Sequence, residues 1–376
     1  MELISLHYLF NFFAVVNNNK NNKETTKIMK VLLFDNGLPF DLNTPYHKSL
    51  GGSETSILLL AKGLAKLSHQ VVLLSNITYN EEEPNIILSN FNNFDQYAKL
   101  SDIIIFNRSI PQEIMNHLDK KLFYLSHDAY DQINIKWLMN DGSENLLNKI
   151  ICVSDWQKNT FIDYLNADPN KLEVLGNPID YSIYSGHAER DPNKLIFTSI
   201  PYKGLDFLPD LFSEIKLKSK NQKLHLDVYS SFQLYGREEE DETFADVFRT
   251  LNNMEDVNLF SPISMVDLAY KFKQAGLYLA PSTYHETFGR VYIESMAGGC
   301  LPVTVDNGAN KEIIENYGYV LDYANIRNLK CFESYVDLVC GLLNDDLYNK
   351  RVVAEREMKK WDYIKLAKKL ENIILT

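Results

Sequence analysis

Residues 280–314 read APSTYHETFGRVYIESMAGGCLPVTVDNGANKEII, and this stretch decides how the chain is understood. An apolar run closes at Pro281-Ser282, a polar loop carries Glu286, and the apolar spacing that follows predicts a helix from about Gly289 to Ala297. Gly298-Gly299 ends that helix, because glycine takes the left-handed turn past a helix end without steric cost. The next run, LPVTV (301–305), reads as a buried strand. A helix start beside a strand end offers unbonded N–H groups and partial positive charge, which suits an anion. Gly289 has no Cβ, so a diphosphate could approach the backbone there. Glu294 lies about 7.5 Å further along the axis, and its side chain leans back toward the helix start. That reach runs from a diphosphate to the hydroxyls of an attached ribose, which a carboxylate accepts. Glu286 would face whatever hangs from the other end of the diphosphate. Taken singly, Glu294 reads as a solvated helix residue and Gly298-Gly299 as a cap.

Outward from this segment the chain alternates short apolar runs with amphipathic ones. KVLLFD (30–35), QVVLLS (70–75), DIIIFN (102–107), KLFYLS (121–126) and KIICVS (149–154) have the continuous apolar character of strands buried on both faces. Helical patterns separate them at 53–69 and 155–165. GNPIDYSIYSGHAERDPN (176–193) reads as a linker. The alternation restarts with KLIFTS (194–199), KLHLDVYS (223–230), VNLF (257–260), GLYLAPS (276–282), LPVTV and YVLD (319–322). Two successive Rossmann-like halves leave a cleft between strand C-termini, where ligands of open α/β sheets bind. The acidic run EEEDE (238–242) reads as a solvated helix start or loop, and Trp361 lies in a helical stretch that could pack back across the domains.

The 376 residues favour two domains, and 45% apolar with 23% charged residues is an ordinary globular balance. Fifty acidic against 38 basic residues give a net charge of −12, which disfavours a nucleic-acid partner. Cys152, Cys300, Cys331 and Cys340 form no C-x-x-C pair and read as buried reduced thiols of a cytoplasmic protein. Residues 3–16 are apolar but too short to span a bilayer, and the Asn/Lys-rich 17–27 reads as disordered. The expected organisation is therefore an extension at 1–28, a first Rossmann-like acceptor domain at 29–180, a donor domain at 181–360, and a returning helix at 361–376. The Lys359–Lys369 stretch could touch a membrane surface weakly, although a solvated amphipathic helix is the preferred reading.

The spacing of Glu286 and Glu294, with Pro281-Ser282 before, Phe288-Gly289 between and Ala297-Gly298-Gly299-Cys300-Leu301-Pro302-Val303 after, resembles the signature of family 4 retaining glycosyltransferases, in glycosyl transferases group 1. The resemblance extends from Lys30 onward: Gly51-Gly52-Ser53-Glu54 looks like that family's glycine loop, and Ser126-His127-Asp128 like its histidine-bearing strand end. CVSDWQKNTF (152–161) with GNPID (176–180) looks like its passage into the second domain, and Tyr202-Lys203-Gly204-Leu205 like its phosphate loop. The resemblance implies a GT-B fold, with two Rossmann-like domains facing a central cleft and C-terminal helices packing back. It implies that Glu294 binds the ribose, Glu286 the donor sugar and Lys203 the diphosphate. Backbone amides near Phe288, Gly289 and Arg290 would assist, with Ser199 in the shortened phosphate loop, His127 near the reacting carbon, and Gly51 and Gly52 bordering phosphate and acceptor. Alone, His127 would read as a satisfied histidine at a strand end; the surrounding pattern reverses that.

Two departures stand out. Phe197–Lys203 lacks the arginine usual before the lysine, and Gly308-Ala309-Asn310 replaces a Gly-Gly pair ahead of Glu312. The implied chemistry is transfer of a sugar from a nucleotide-diphosphate donor to a glycan or other hydroxyl acceptor with retention, by a front-face route, without metal or separate cofactor. The competing readings are a non-catalytic sugar-nucleotide-binding subunit and a GT-B sugar-nucleotide epimerase. No G-x-G-x-x-G follows Lys30–Asp35, which argues against a dinucleotide oxidoreductase.

Overall fold

The computed structural model of the chain describes residues 28–111, 117, 119–140 and 143–376. The apolar segment 3–16 and the Asn/Lys-rich 17–27 lie outside the described residues. The apolar runs form two sheets. The first contains β1 (Lys30–Phe34), β2 (Gln70–Ser75), β3 (Glu81–Glu83), β4 (Ile86–Asn90), β5 (Ile103–Asn107), β6 (Lys121–Leu125), β7 (Lys149–Cys152) and β8 (Leu172–Val174), in the order β3-β4-β2-β1-β5-β6-β7-β8. The second contains β9 (Asp191–Thr198), β10 (His225–Tyr229), β11 (Val257–Phe260), β12 (Ala275–Ala280), β13 (Leu301–Val305) and β14 (Tyr319–Leu321), in the order β11-β10-β9-β12-β13-β14. Within these sheets all pairings are parallel except β3 with β4.

Each order reverses once, between β1 and β5 in the first sheet and between β9 and β12 in the second. At a reversal the connections leave to opposite sides and open a crevice beyond the strand C-termini. The loops after β1, β5, β9 and β12 are thereby placed around two crevices, with Lys203 after β9 and Glu286 after β12. Strand β9 begins at Asp191, three residues inside the stretch read as linker, because that stretch pairs with β12 at Ala275. The acidic run forms a 3-10 helix, Glu238–Phe244, in which Asp241 accepts a bond from the Phe232 amide at 2.8 Å.

The chain finishes on the half where it began. Helix Tyr363–Leu375 packs along helix Gly52–Lys66, burying Leu366, Leu370, Ile373 and Ile374. Each such side chain contributes roughly 1.5–3 kcal/mol. Gly63 makes the contact close, since a Cβ there would stand 2.6 Å from the Ala367 Cβ and 2.7 Å from the Tyr363 carbonyl oxygen. The two crossings between halves run side by side: the Ile179 amide donates to Trp361 O at 3.0 Å, and the Tyr363 amide to Ile179 O at 2.9 Å. The Trp361 ring fills the space beside Gly176 and meets Phe288 edge-on at 5.0 Å. All four cysteines are buried and free. Among the described residues no helix is long and apolar enough to cross a membrane.

Candidate active site

The second sheet's reversal brings Lys203 and Glu286 together. Lys203 ends a 3-10 turn after β9, closed by Gly204 at φ 103°. A side chain at 204 would collide with the Pro281 carbonyl, so the loops after β9 and β12 can approach only across a glycine. The Lys203 Nζ lies 2.6 Å and 2.8 Å from the two carboxylate oxygens of Glu286, which is buried. Burial opposes the charge on Lys203, but Glu286 overcomes that and holds the ammonium pKa above its ordinary value. The Glu286 backbone is fixed as well: Ala309 donates to its carbonyl at 2.7 Å. Gly308, at φ 71°, leaves no side chain to strike that backbone.

A second pair lies in the helix that follows in sequence. Gly289, at φ 70°, precedes helix Arg290–Ala297, and a side chain there would strike the Tyr292 ring. This glycine therefore has a packing reason in addition to any ligand. Arg290 lies 2.8 Å from Glu294, four residues on, with Glu294 buried. Burial raises the Glu294 pKa, and the Arg290 charge pulls it back only in part. The Arg290 Nε is buried without a partner. Phe288 is a core residue, leaving only its backbone to serve a ligand. Ser199 accepts a bond from the Ser230 hydroxyl at 2.7 Å on its carbonyl.

His127 follows β6 in the first half. Its Nε2 is sealed from solvent without a partner. Burial, with Arg108 and Arg290 adding to it, lowers the ring's pKa to about 3, so the imidazole is neutral. Arg108 is itself paired with Asp128 at 2.9 Å. Thr287, next to Glu286 in sequence, donates from its hydroxyl to the His127 carbonyl at 2.9 Å. Glu54 is buried under the glycine loop, where a side chain on Gly51 would collide with its carboxylate and come 3.3 Å from Tyr235 of the second half. Gly52 faces open space. At the first sheet's reversal, Asn107 donates to Asp35 at 2.5 Å, while Asn107 Oδ1 has no partner. Burial foremost, then Glu54, raises Asp35 to about 6.

The structure thus pairs Lys203 with Glu286 and Arg290 with Glu294, and ties the Glu286 loop to the His127 turn through Thr287. Asp35, Asn107, Arg108, Tyr235 and Thr287 received no firm role from sequence. Glu54 closes Gly51-Gly52-Ser53-Glu54, and its burial has no local sequence signal.

A two-half arrangement of this kind, with strand ends facing across a cleft and a final helix returning to the first half, is the GT-B fold of glycosyltransferases. Residues 189–331, most of the second half, match the family model described as glycosyl transferases group 1. A protein of Sulfolobus islandicus filamentous virus (isolate Iceland/Hveragerdi), provisionally named glycosyltransferase 45, is 23% identical over 348 residues, covering 84% of this chain and 89% of its own. Among solved structures, Anabaena Alr3699/HepE in complex with UDP and glucose superimposes with a TM-score of 0.69 at 15% identity, over 92% of this chain and 99% of the other. A glycosyltransferase from Rickettsia africae ESF-5 does so with a TM-score of 0.67 at 17% identity, over 93% and 99%.

Proposed function

We propose that this protein transfers a glycosyl unit from a nucleotide-diphosphate sugar to a hydroxyl acceptor, keeping the anomeric configuration and using no metal. The observation that carries this reading is the double pairing of Lys203 with Glu286 and Arg290 with Glu294 at one helix start. Each carboxylate suited to a sugar hydroxyl is held by a cation suited to a phosphate. A bound diphosphate draws Lys203 and Arg290 to itself and meets the free amides at Gly289–Arg290. That exchange releases Glu294 toward the ribose and Glu286 toward the donor sugar. As the glycosidic bond breaks, negative charge grows on the departing diphosphate, and each fixed donor there is worth roughly 3 kcal/mol in the transition state.

Neutral His127 can accept or donate a hydrogen bond at the sugar without adding positive charge beside an oxocarbenium-like centre. The leaving phosphate takes the acceptor's proton on the same face, which keeps the configuration. That Alr3699/HepE was captured with UDP and glucose supports a nucleotide-sugar donor. The test is a panel of UDP-, GDP-, ADP- and TDP-sugars assayed in EDTA, with the product's anomeric centre read by NMR. Turnover with a retained configuration is expected. An inverted product, or dependence on a divalent ion, overturns the mechanism.

A further inference from the structure

The residues flanking Glu286 all reach into the other half of the molecule. Tyr284 accepts from Gln132 at 2.6 Å, and His285 stacks on Trp156 at 6.0 Å and 20°. Thr287 is bound twice: its carbonyl accepts the Ser154 hydroxyl at 2.6 Å, and its own hydroxyl donates to the His127 carbonyl at 2.9 Å. Ser154 is fully buried and also caps helix Asp155–Leu165 by accepting from the Gln157 amide. The Gln157 side chain donates in turn to the Asp128 carbonyl at 2.7 Å and the Ser126 hydroxyl at 3.2 Å. Both first-half partners of Thr287 therefore belong to one hydrogen-bonded scaffold around His127. A second strap lies beside it, where the two carboxylate oxygens of Glu312 each accept at 2.9 Å, from the amides of Asp155 and Trp156. A carboxylate at a helix start is favourably placed for both its amides and its dipole.

We propose that Thr287 is a positioning residue that ties the donor-sugar loop to the His127 turn. Glu286 and His127 then come into register only when the halves are joined, and Glu312 holds that joint shut. The proposal rests on the glycosyl-transfer reading for its catalytic consequence but not for the joint itself. Nucleotide binding, confined to the second half, does not need the joint; turnover does. A hydroxyl is the chemical requirement at 287, since valine keeps the shape and loses the donor.

The experiment compares Thr287→Val and Thr287→Ser with wild type, using UDP for calorimetry and UDP-glucose for turnover. Thr287→Val should keep the UDP Kd within about twofold while kcat falls by about tenfold or more, with KM moving much less. Thr287→Ser should recover kcat to within about threefold of wild type, which a purely steric role would not produce. Wild-type turnover in Thr287→Val overturns the proposal, as does a matching loss of UDP affinity. Solution scattering needs no substrate: the double variant Thr287→Val/Glu312→Gln should show a larger radius of gyration than wild type. An unchanged radius overturns the joint. A wild type inert toward every nucleotide sugar removes the glycosyl-transfer reading and leaves the scattering result to decide the joint alone.

Discussion

Lys203 and Glu286, 83 residues apart, hold each other at 2.6 Å on the loops that follow the two strands flanking the second sheet's reversal. Either residue alone would be a charge in a largely desolvated crevice. Lys203→Met strands the Glu286 carboxylate, and breaking such a pair costs about 3 kcal/mol, the lower end of the usual range because the lysine keeps some solvent. Adding Glu286→Gln should restore part of that loss. Thermal unfolding of both single variants and the double variant measures the coupling, expected at about 1 kcal/mol or more. Simple additivity would show that the pair contributes nothing.

Nucleotide binding and turnover should separate across the cleft. Glu294→Ala removes a ribose partner but also frees Arg290 for the phosphates. The net loss in nucleoside diphosphate affinity is therefore expected near 1.5 kcal/mol, the low end for a charged hydrogen-bond partner. His127→Ala should leave that affinity nearly unchanged and lower turnover by about 10²-fold. Calorimetry and a transfer assay on the two variants decide it, and equal loss of affinity in both would refute the division.

Asp35 makes the fold less stable at neutral pH. Its pKa rises from 3.8 unfolded to about 6 folded, so the folded state holds more protons between those values. Its contribution is complete below the unfolded pKa and is lost as pH rises through about 6, by at most about 3 kcal/mol. Asp35→Asn should melt higher than wild type at pH 8, with the gap closing toward pH 4. A gap that stays constant with pH would show that Asp35 titrates normally.

His127 carries the opposite sign. With a folded pKa of about 3 against 6.5, it binds its proton mainly after unfolding. Its contribution is present above the unfolded pKa and is lost as pH falls from 6.5 toward 3, by up to about 1.4 kcal/mol per pH unit. His127→Gln should therefore lose less stability than wild type between pH 7 and pH 4 in a series of thermal melts. Parallel losses would mean that the ring is protonated in the fold.

Gly63→Ala ought to lower the melting temperature although alanine favours a helix interior by about 1 kcal/mol. The added methyl overlaps Ala367 and the Tyr363 carbonyl, and overpacking of this kind costs roughly 1–3 kcal/mol. A higher melting temperature would show that the C-terminal helix slides to accommodate it.

The buried parallel strands were legible because their sequences are apolar end to end: QVVLLS is β2 without change of boundary. Strand β3 was not, being three glutamates that pair antiparallel on the sheet edge, where no apolar face is required. Strands β4 and β8 are short and carry polar residues, so neither periodicity stands out. The crevice residues could be placed because Glu286, Gly289, Arg290 and Glu294 lie within one turn-and-helix segment whose spacing is itself the geometry. What sequence did not show is contact at a distance. Thr287 meets Ser154 and His127 across 133 and 160 positions, and no local pattern encodes such a meeting. Gly289 illustrates a partial reading: its lack of a Cβ suits a closely approaching diphosphate, while its neighbour Tyr292 requires it in the fold itself.

The paired crossings at Ile179 and Trp361–Tyr363 make the connection between halves a door hung on two adjacent pins. Opening can proceed as a swing about the line joining them, whereas shear or free tumbling of one half against the other would tear the Ile179 bonds on both sides. A protease that nicks the exposed Gly186 turn would cut one pin and leave the other, so the nicked protein should stay in one piece and still swing.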